Sequence, residues 1–353
     1  MRQRSTASNS NSRRILSVFC LLLLLAAPNP ALALRAVFLA DTQGGASSDY
    51  GGIGVSELTA AMRTVLAMKP RPDMVFCLGD LAGRGYTEDG GYQFERWKEL
   101  TRPITQAGIP LYVVKGNHEL TRDRKLLGYL APTWFFLRNQ EEYAKAFAHM
   151  PANGPAGYEH LAYTVTDDAS ATVFVALDSQ FLERDMVNNP YGISQAQLDW
   201  LRAPLPAVDR AVHRIVLTHA PAFNPLEKHP GFKDASFQHL WAIMEDKGFA
   251  LMIAAHVHTS SFALIDNTIY PASRRPIAQI VTGPVGGRPP PKIMVRSDPA
   301  VWNTFVGSNF LLLEIDGPRA EDPIRLTVYG KTEANAYTPI EVRTVYSYRK
   351  EGR

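Results

Sequence analysis

Residues Pro110–Glu119 read PLYVVKGNHE, and the reading of the whole chain starts there. Leu111, Tyr112, Val113 and Val114 form a short apolar, β-branched and aromatic run, the signature of a buried strand. The run stops at Gly116, and three polar side chains follow at once: Asn117, His118 and Glu119. In an open parallel sheet, ligands bind just beyond the carboxyl ends of the strands, so polar groups there face a crevice. An amide oxygen at 117 can ligate a metal, and an imidazole at 118 titrates near neutrality and can pass a proton. A solvated surface turn would read the same way, so the tetrapeptide alone leaves both readings open.

Working outward, the same arrangement recurs. Ala36–Leu39 is a strand ending on Asp41-Thr42-Gln43, and Met74–Leu78 is a strand ending on Gly79-Asp80. Ile215–Leu217 runs out at His219, and Leu251–Ala254 at His256, with His258 two residues on. Between the first strands, Ser56 stands as the N-cap of a helix that stops before Pro70, and a second helix is expected over Phe94–Thr101. That β-α-β-α-β order predicts a parallel sheet and an α/β fold. Farther along, Glu141–His149 reads as helical, and Leu161–Thr166 with Thr172–Leu177 as a hairpin. Ser194 and Ser236 are expected to cap helices at Gln195–Arg202 and Phe237–Asp246. Short β runs follow at 262–265, 278–282, 310–315, 325–329 and 341–346. The proline-bearing stretch Gly283–Asn303 reads as an irregular loop.

Five strands thus finish on Asp41, Asp80, Asn117, His219 and His256, with gaps of 39, 37, 102 and 37 residues. Three of these gaps fit one strand-helix unit each, and the ends are expected along one rim of the sheet. His256 and His258 are two apart, which in an extended segment points both side chains the same way. Any one of these residues is commonly a mere turn residue. Taken jointly, that explanation needs five coincidences in one topological position. Two Asp, one Asn and three His offer mixed oxygen and nitrogen donors, suited to Zn, Mn or Fe rather than to Ca or thiolate chemistry. They are too many for one ion. A carboxylate such as Asp80, shared by two ions, would hold them roughly 3.5–4 Å apart, the separation that clamps an in-line phosphoryl displacement.

Composition bounds the rest. Arg2, Arg4, Arg13 and Arg14 precede an apolar run from Ile15 to Ala27, and Ala31-Leu32-Ala33 offers small residues for cleavage. Residues 1–33 therefore read as a secretory signal peptide and 34–353 as a single domain, exported to a periplasmic or extracellular space. The apolar run is too short for a permanent membrane anchor. Of 37 basic and 34 acidic residues, four basic and no acidic ones lie in 1–33, which leaves 33 against 34 and a net charge of −1. That balance argues against a nucleic-acid partner. Cys77 is then the lone cysteine, so no intramolecular disulfide is available and the fold rests on its hydrophobic core.

The set of motifs resembles the calcineurin-like metallophosphoesterases over nearly all of the mature chain. Their Asp-x-His motif is partly met by Asp41-Thr42-Gln43, Gly-Asp by Gly79-Asp80, and Gly-Asn-His-(Asp/Glu) by Gly116–Glu119. His219 is the strand-end histidine, and Ala255-His256-Val257-His258 stands for Gly-His-x-His. Softer matches are Leu177-Asp178-Ser179, the helix around Gln197–Leu201, and Val281-Thr282-Gly283. The resemblance implies a four-layer αββα sandwich, two mixed β-sheets flanked by helices. It also implies two divalent or trivalent ions (Mn, Fe or Zn). Asp41, Asp80 and His258, with Gln43 beside them, would hold the first ion. Asp80, Asn117, His219 and His256 would hold the second. A hydroxide bridging the ions would attack phosphorus in a small phosphate ester, and His118 would assist the leaving oxygen. Asn117, His118 and Arg84 would contact the substrate, although Arg84 in its glycine-rich loop reads equally well as solvated. Gln43 departs from the family histidine. Its amide oxygen is a weaker ligand, so the first ion is expected to be loose or differently selected, or the protein to be a silent binding relative. Gly83 occupies the position of the tyrosine of purple acid phosphatases, which argues against an iron–tyrosinate centre.

Overall fold

The computed structural model describes residues 33–44, 52–83, 92–120, 133–180, 191–226, 232, 234–289, 303–333 and 336–348, all in the unit spanning 33–353. The expected signal segment up to Leu32, and Arg84, lie outside the described residues. In chain order the first elements are β1 (Leu34–Leu39), α1 (Val55–Ala67), β2 (Met74–Cys77), α2 (Tyr92–Gln106), β3 (Leu111–Val113) and α3 (Thr133–Ala146). There follow β4 (Tyr163–Asp167), β5 (Thr172–Ala176), α4 (Gln195–Arg202), α5 (Pro206–Arg210), β6 (His213–Leu217), α6 (Ala235–Lys247) and β7 (Leu251–Ala254). The chain closes with β8 (Ser260–Ile265), β9 (Ile277–Val281), β10 (Asn303–Phe305), β11 (Asn309–Ile315), β12 (Ile324–Glu333) and β13 (Ala336–Val345).

These strands make two mixed sheets with flanking helices. The first has the order β13-β12-β11-β1-β2-β3, the second β10-β8-β9-β7-β6-β5-β4. β1, β2 and β3 run parallel, as do β5, β6, β7 and β9. The antiparallel partners lie toward the edges.

The two-residue period of a strand explains the layering. In β5, Phe174 and Ala176 join a cluster shared with the first sheet, while Val173 and Val175 join the cluster under α4 and α6. β6 divides Ile215 and Leu217 from Val216 in the same way, and β7 divides Leu251 and Ile253 from Met252. Both faces are buried, which is why these segments read as unbroken apolar runs. Phe174 bridges the sheets, with its ring centroid 4.9 Å from that of Phe76 and 5.9 Å from that of Phe38. Leu198, Leu201, Leu240, Trp241 and Met244 cover the far side of the second sheet.

Several expectations need correction. The strand ends do not share one sheet: Asp41, Asp80 and Asn117 follow β1–β3, whereas His219 and His256 follow β6 and β7 of the other sheet. α1 starts at Val55 behind Gly54, with no side-chain cap, so Ser56 lies inside it. α6 is capped by Asp234, whose side chain accepts from the Ser236 N–H. Ser236 Oγ instead accepts from Ile193 N at 2.8 Å and ties down the preceding loop. α2 continues through Pro103 to bury Ile104. Asn303, the last residue of the stretch expected to be irregular, instead begins β10 and pairs with β8. The cap of Gln195–Arg202 by Ser194 and the hairpin of β4 and β5 are as expected. Among the described residues, no helix is long and apolar enough to cross a membrane.

Candidate metal centre

Loops leaving β1, β2 and β3 meet loops leaving β6 and β7 where the two sheets face each other, and glycine makes that approach possible. Gly79 has φ +88°, and a Cβ there would come within 2.6 Å of Gly116 N and 2.8 Å of His219 Nδ1. A Cβ on Gly116 would sit 2.4 Å from both Asp80 N and Asp80 Oδ1. The two loops are joined by Glu119, fully buried, whose carboxylate accepts from Asp80 N at 2.9 Å, Leu81 N at 2.7 Å and Gly116 N at 2.7 Å. Burial, reinforced by the charge of Asp80, pushes the Glu119 carboxyl up to about 7.

Backbone strain gathers on the same residues. Six non-glycine residues among those described have positive φ, and four are Asp41, Asp80, His256 and His258. Such a conformation is uncommon outside glycine, and it persists where the surroundings force it, typically at functional sites. It also corrects the extended reading of 256–258. With φ +74° and +54°, the two imidazoles separate, His256 joining Asp80 and His219, and His258 joining Asp41 and Asp80. In each group the donor atoms lie within 4.8 Å of one another, and Asp80 belongs to both. Ala255 is absent from the positive-φ positions, so the missing glycine of the Gly-His-x-His motif is not needed for backbone freedom.

The hydrogen bonds dictate which ring atoms face inward. His219 Nδ1 donates to Leu78 O at 2.7 Å, so Nε2 points to Asn117 Oδ1 at 3.1 Å and Asp80 Oδ1 at 3.3 Å. Two acceptors converging on an imidazole nitrogen require positive charge between them, carried by a proton or a metal ion. Burial disfavours charge on His219, but Asp80 and Asp41 outweigh it and raise its pKa to about 9. Burial would raise the Asp80 carboxyl, yet His219 and His118 hold it well below the usual carboxylate range. Asp41 is pushed up to about 6 by burial, against the opposing pull of His258. Asp41 Oδ1 is buried without a hydrogen-bond partner, whereas Gln43 turns its Nε2 toward Asp80 and His258. Acceptors without donors are what a cation site needs, and the donor set fits one.

His118 stands apart from the ligand atoms. Its Nδ1 donates to Gly83 O at 2.8 Å, and its Nε2 lies 3.8 Å from Asp80 Oδ2 on a side chain 33% exposed. Burial lowers its pKa, but Asp80 and the Gly83 carbonyl raise it more, for a net upward shift. Its backbone N–H donates to Asp80 Oδ1 at 2.8 Å.

Other supporting residues carry little sequence signal. Lys115 Nζ lies 2.8 Å from Asp178 Oδ2 and donates to Gln140 Oε1 at 2.7 Å, with both charged side chains wholly buried. Gln197 grips the Asp178 backbone from both sides, accepting from its N–H and donating to its carbonyl, each at 2.8 Å. This accounts for Leu177-Asp178-Ser179 and the Gln197 helix occurring together. The signal for Lys115 was a cation inside an apolar run, VVKG. Tyr191 packs against His256 with centroids 4.5 Å apart and the rings tilted by 53°, a contact that no local pattern announces.

Two mixed sheets with flanking helices and a cluster of candidate metal ligands at their converging strand ends define the class of fold. The model of the calcineurin-like phosphoesterases matches residues 34–260, and the chain belongs to that family. A search of curated proteins gives no match. Solved structures show the fold shared across distant relatives. One is a purple acid phosphatase from yellow lupin (Lupinus luteus) seeds, at 15% identity and TM-score 0.57, matched over 88% of this chain but only 53% of its own. A dimetal phosphatase from Danio rerio matches at 16% and 0.51, over 90% of this chain and all of its own. The anchor in the inner membrane complex of Plasmodium matches at 17% and 0.59, over 90% of each chain.

Proposed function

We propose that the chain is an exported, metal-dependent phosphoesterase that hydrolyses small phosphomonoesters or phosphodiesters. The observation that carries the reading is the convergence of Asn117 Oδ1 and Asp80 Oδ1 on His219 Nε2, at 3.1 and 3.3 Å, beside a second group made by Asp41, Asp80 and His258. Two ions (Mn, Fe or Zn) would supply an activated water nucleophile and neutralise charge on the phosphoryl group. Asp80 would be common to both, Asp41, Gln43 and His258 completing one shell and Asn117, His219 and His256 the other. The protein's own contribution is orientation and a proton. Gly83 O fixes the His118 ring through Nδ1, which leaves Nε2 as the ring nitrogen turned to the site to pass a proton to the leaving oxygen. The test is elemental analysis of metal-reconstituted protein together with a panel of aryl phosphate monoesters and diesters. Bound metal and ester hydrolysis are expected. A chain that keeps no metal and is inert toward every ester would refute the proposal.

A second reading, a silent binding relative, is favoured by one feature: the Gln43 amide donates to Asp80 Oδ2 at 3.1 Å. The Plasmodium anchor is one protein of this fold named for an anchoring role. Zero or one metal per chain, without turnover, would favour that reading.

A further inference from the structure

Gln43 sits where the family's first motif carries histidine, and its side chain is buried. Its backbone is fixed, with N donating to Asp80 O at 3.0 Å and a bridge to Ile53. Nε2 lies 3.1 Å from Asp80 Oδ2 and 3.0 Å from His258 Nε2. Both neighbours are acceptors: one is a carboxylate oxygen, and His258 Nδ1 donates to Arg288 O at 2.8 Å, leaving the lone pair on Nε2. The amide therefore presents its NH₂ edge to them, while Oε1 points to a buried place without a hydrogen-bond partner. Asp80 Oδ2 and His258 Nε2 are also the atoms a cation would take there, and an NH₂ group and a cation cannot share them. A half-turn of the amide brings Oε1 round to the cation and gives up both hydrogen bonds.

At the neighbouring subsite no amide NH₂ edge intervenes. Asn117 already turns its oxygen toward His219 Nε2. Its donors would be two oxygens and two imidazoles, against three oxygens and one imidazole on the Gln43 side. Resting on the phosphoesterase reading, we propose that the two subsites load unequally. Asp80, Asn117, His219 and His256 take a borderline cation such as Zn²⁺ tightly. Asp41, Gln43, Asp80 and His258 form an exchangeable position, gated by the Gln43 amide and suited to an oxygen-seeking cation such as Mn²⁺. Giving up two hydrogen bonds, one of them to a carboxylate, weakens this position by on the order of 10- to 100-fold.

The experiment dialyses metal-stripped full-length protein against graded free Zn²⁺ or Mn²⁺ and counts bound metal. Electron paramagnetic resonance of the Mn²⁺ form reports the exchange-coupled signal that needs both positions filled. Wild type should fill one position first and the second only at roughly tenfold or more higher free metal. Gln43→His, and Gln43→Glu with its isosteric all-oxygen end, should close that gap. Equal affinities in wild type, or a gap unchanged in both variants, overturn unequal loading and leave the phosphoesterase reading standing. No metal held by any form overturns both.

Discussion

Replacing Lys115 by Met removes one half of an ion pair sealed from water, and the cost follows from the burial. Both side chains are 0% exposed, and Nζ is 2.8 Å from Asp178 Oδ2. Met fills much of the same volume, so the lost packing is small. What remains is a buried carboxylate with no cation, and an unmatched buried charge of this kind costs about 3–5 kcal/mol. Neutralising the partner as well should recover most of it. Asn at 178 keeps the oxygen that accepts from Gln180 N at 2.9 Å and carries no charge. Urea unfolding of wild type, Lys115→Met, Asp178→Asn and the double variant closes a mutant cycle. With an m-value of about 3 kcal/mol/M, Lys115→Met should lower the midpoint by about 1 M or more. The double variant should return to within about 1–2 kcal/mol of wild type. Lys115 directly precedes Gly116, so Lys115→Met should also hold metal less firmly. A Lys115→Met protein within about 1 kcal/mol of wild type, or a double variant no better than that single one, would refute the reasoning.

Three further outcomes are expected. On the proposed mechanism, in which His118 passes a proton and is not a ligand, His118→Ala should lower kcat by about 10²–10⁴ and keep its metal content; loss of metal on elemental analysis would contradict this. Gly116→Ala would drive a methyl against Asp80 N and Asp80 Oδ1, both at 2.4 Å, so it should lose metal binding even where circular dichroism shows a folded chain. His213 is buried far from the site, with Nε2 donating to Gly317 O at 2.9 Å and Nδ1 accepting from Ser347 Oγ at 2.8 Å. Burial lowers its pKa, so the folded state favours neutral imidazole. Its stabilising contribution is complete above the unfolded pKa of about 6.5 and declines as pH falls below it. Thermal melts between pH 7.5 and 5 should therefore fall less steeply for His213→Gln than for wild type; equal slopes would count against it.

Much of the site could be read along the chain because each donor follows directly on a strand that announces itself by apolar, β-branched residues. Local composition and spacing fix such features. Met74–Cys77 and Leu251–Ala254 fall where the runs predict them, and the order of the Gly-Asp, Gly-Asn-His and His-x-His segments needs no fold to be seen. The helix starts were less legible. Ser56 and Ser236 are good caps by type, but the direction in which the chain arrives decides which residue meets the first free N–H groups.

Tertiary structure alone settled what depends on residues far apart in sequence. It divided five strand ends between two sheets and, through positive φ at His256 and His258, aimed two near-neighbours into different subsites. It paired Lys115 with Asp178 and set the Gln43 NH₂ group on Asp80 and His258. Strand formation answers to the residues within a few positions, so sequence determines it. The orientation of a buried donor or charge answers to whichever distant groups pack around it, and only the assembled core supplies them.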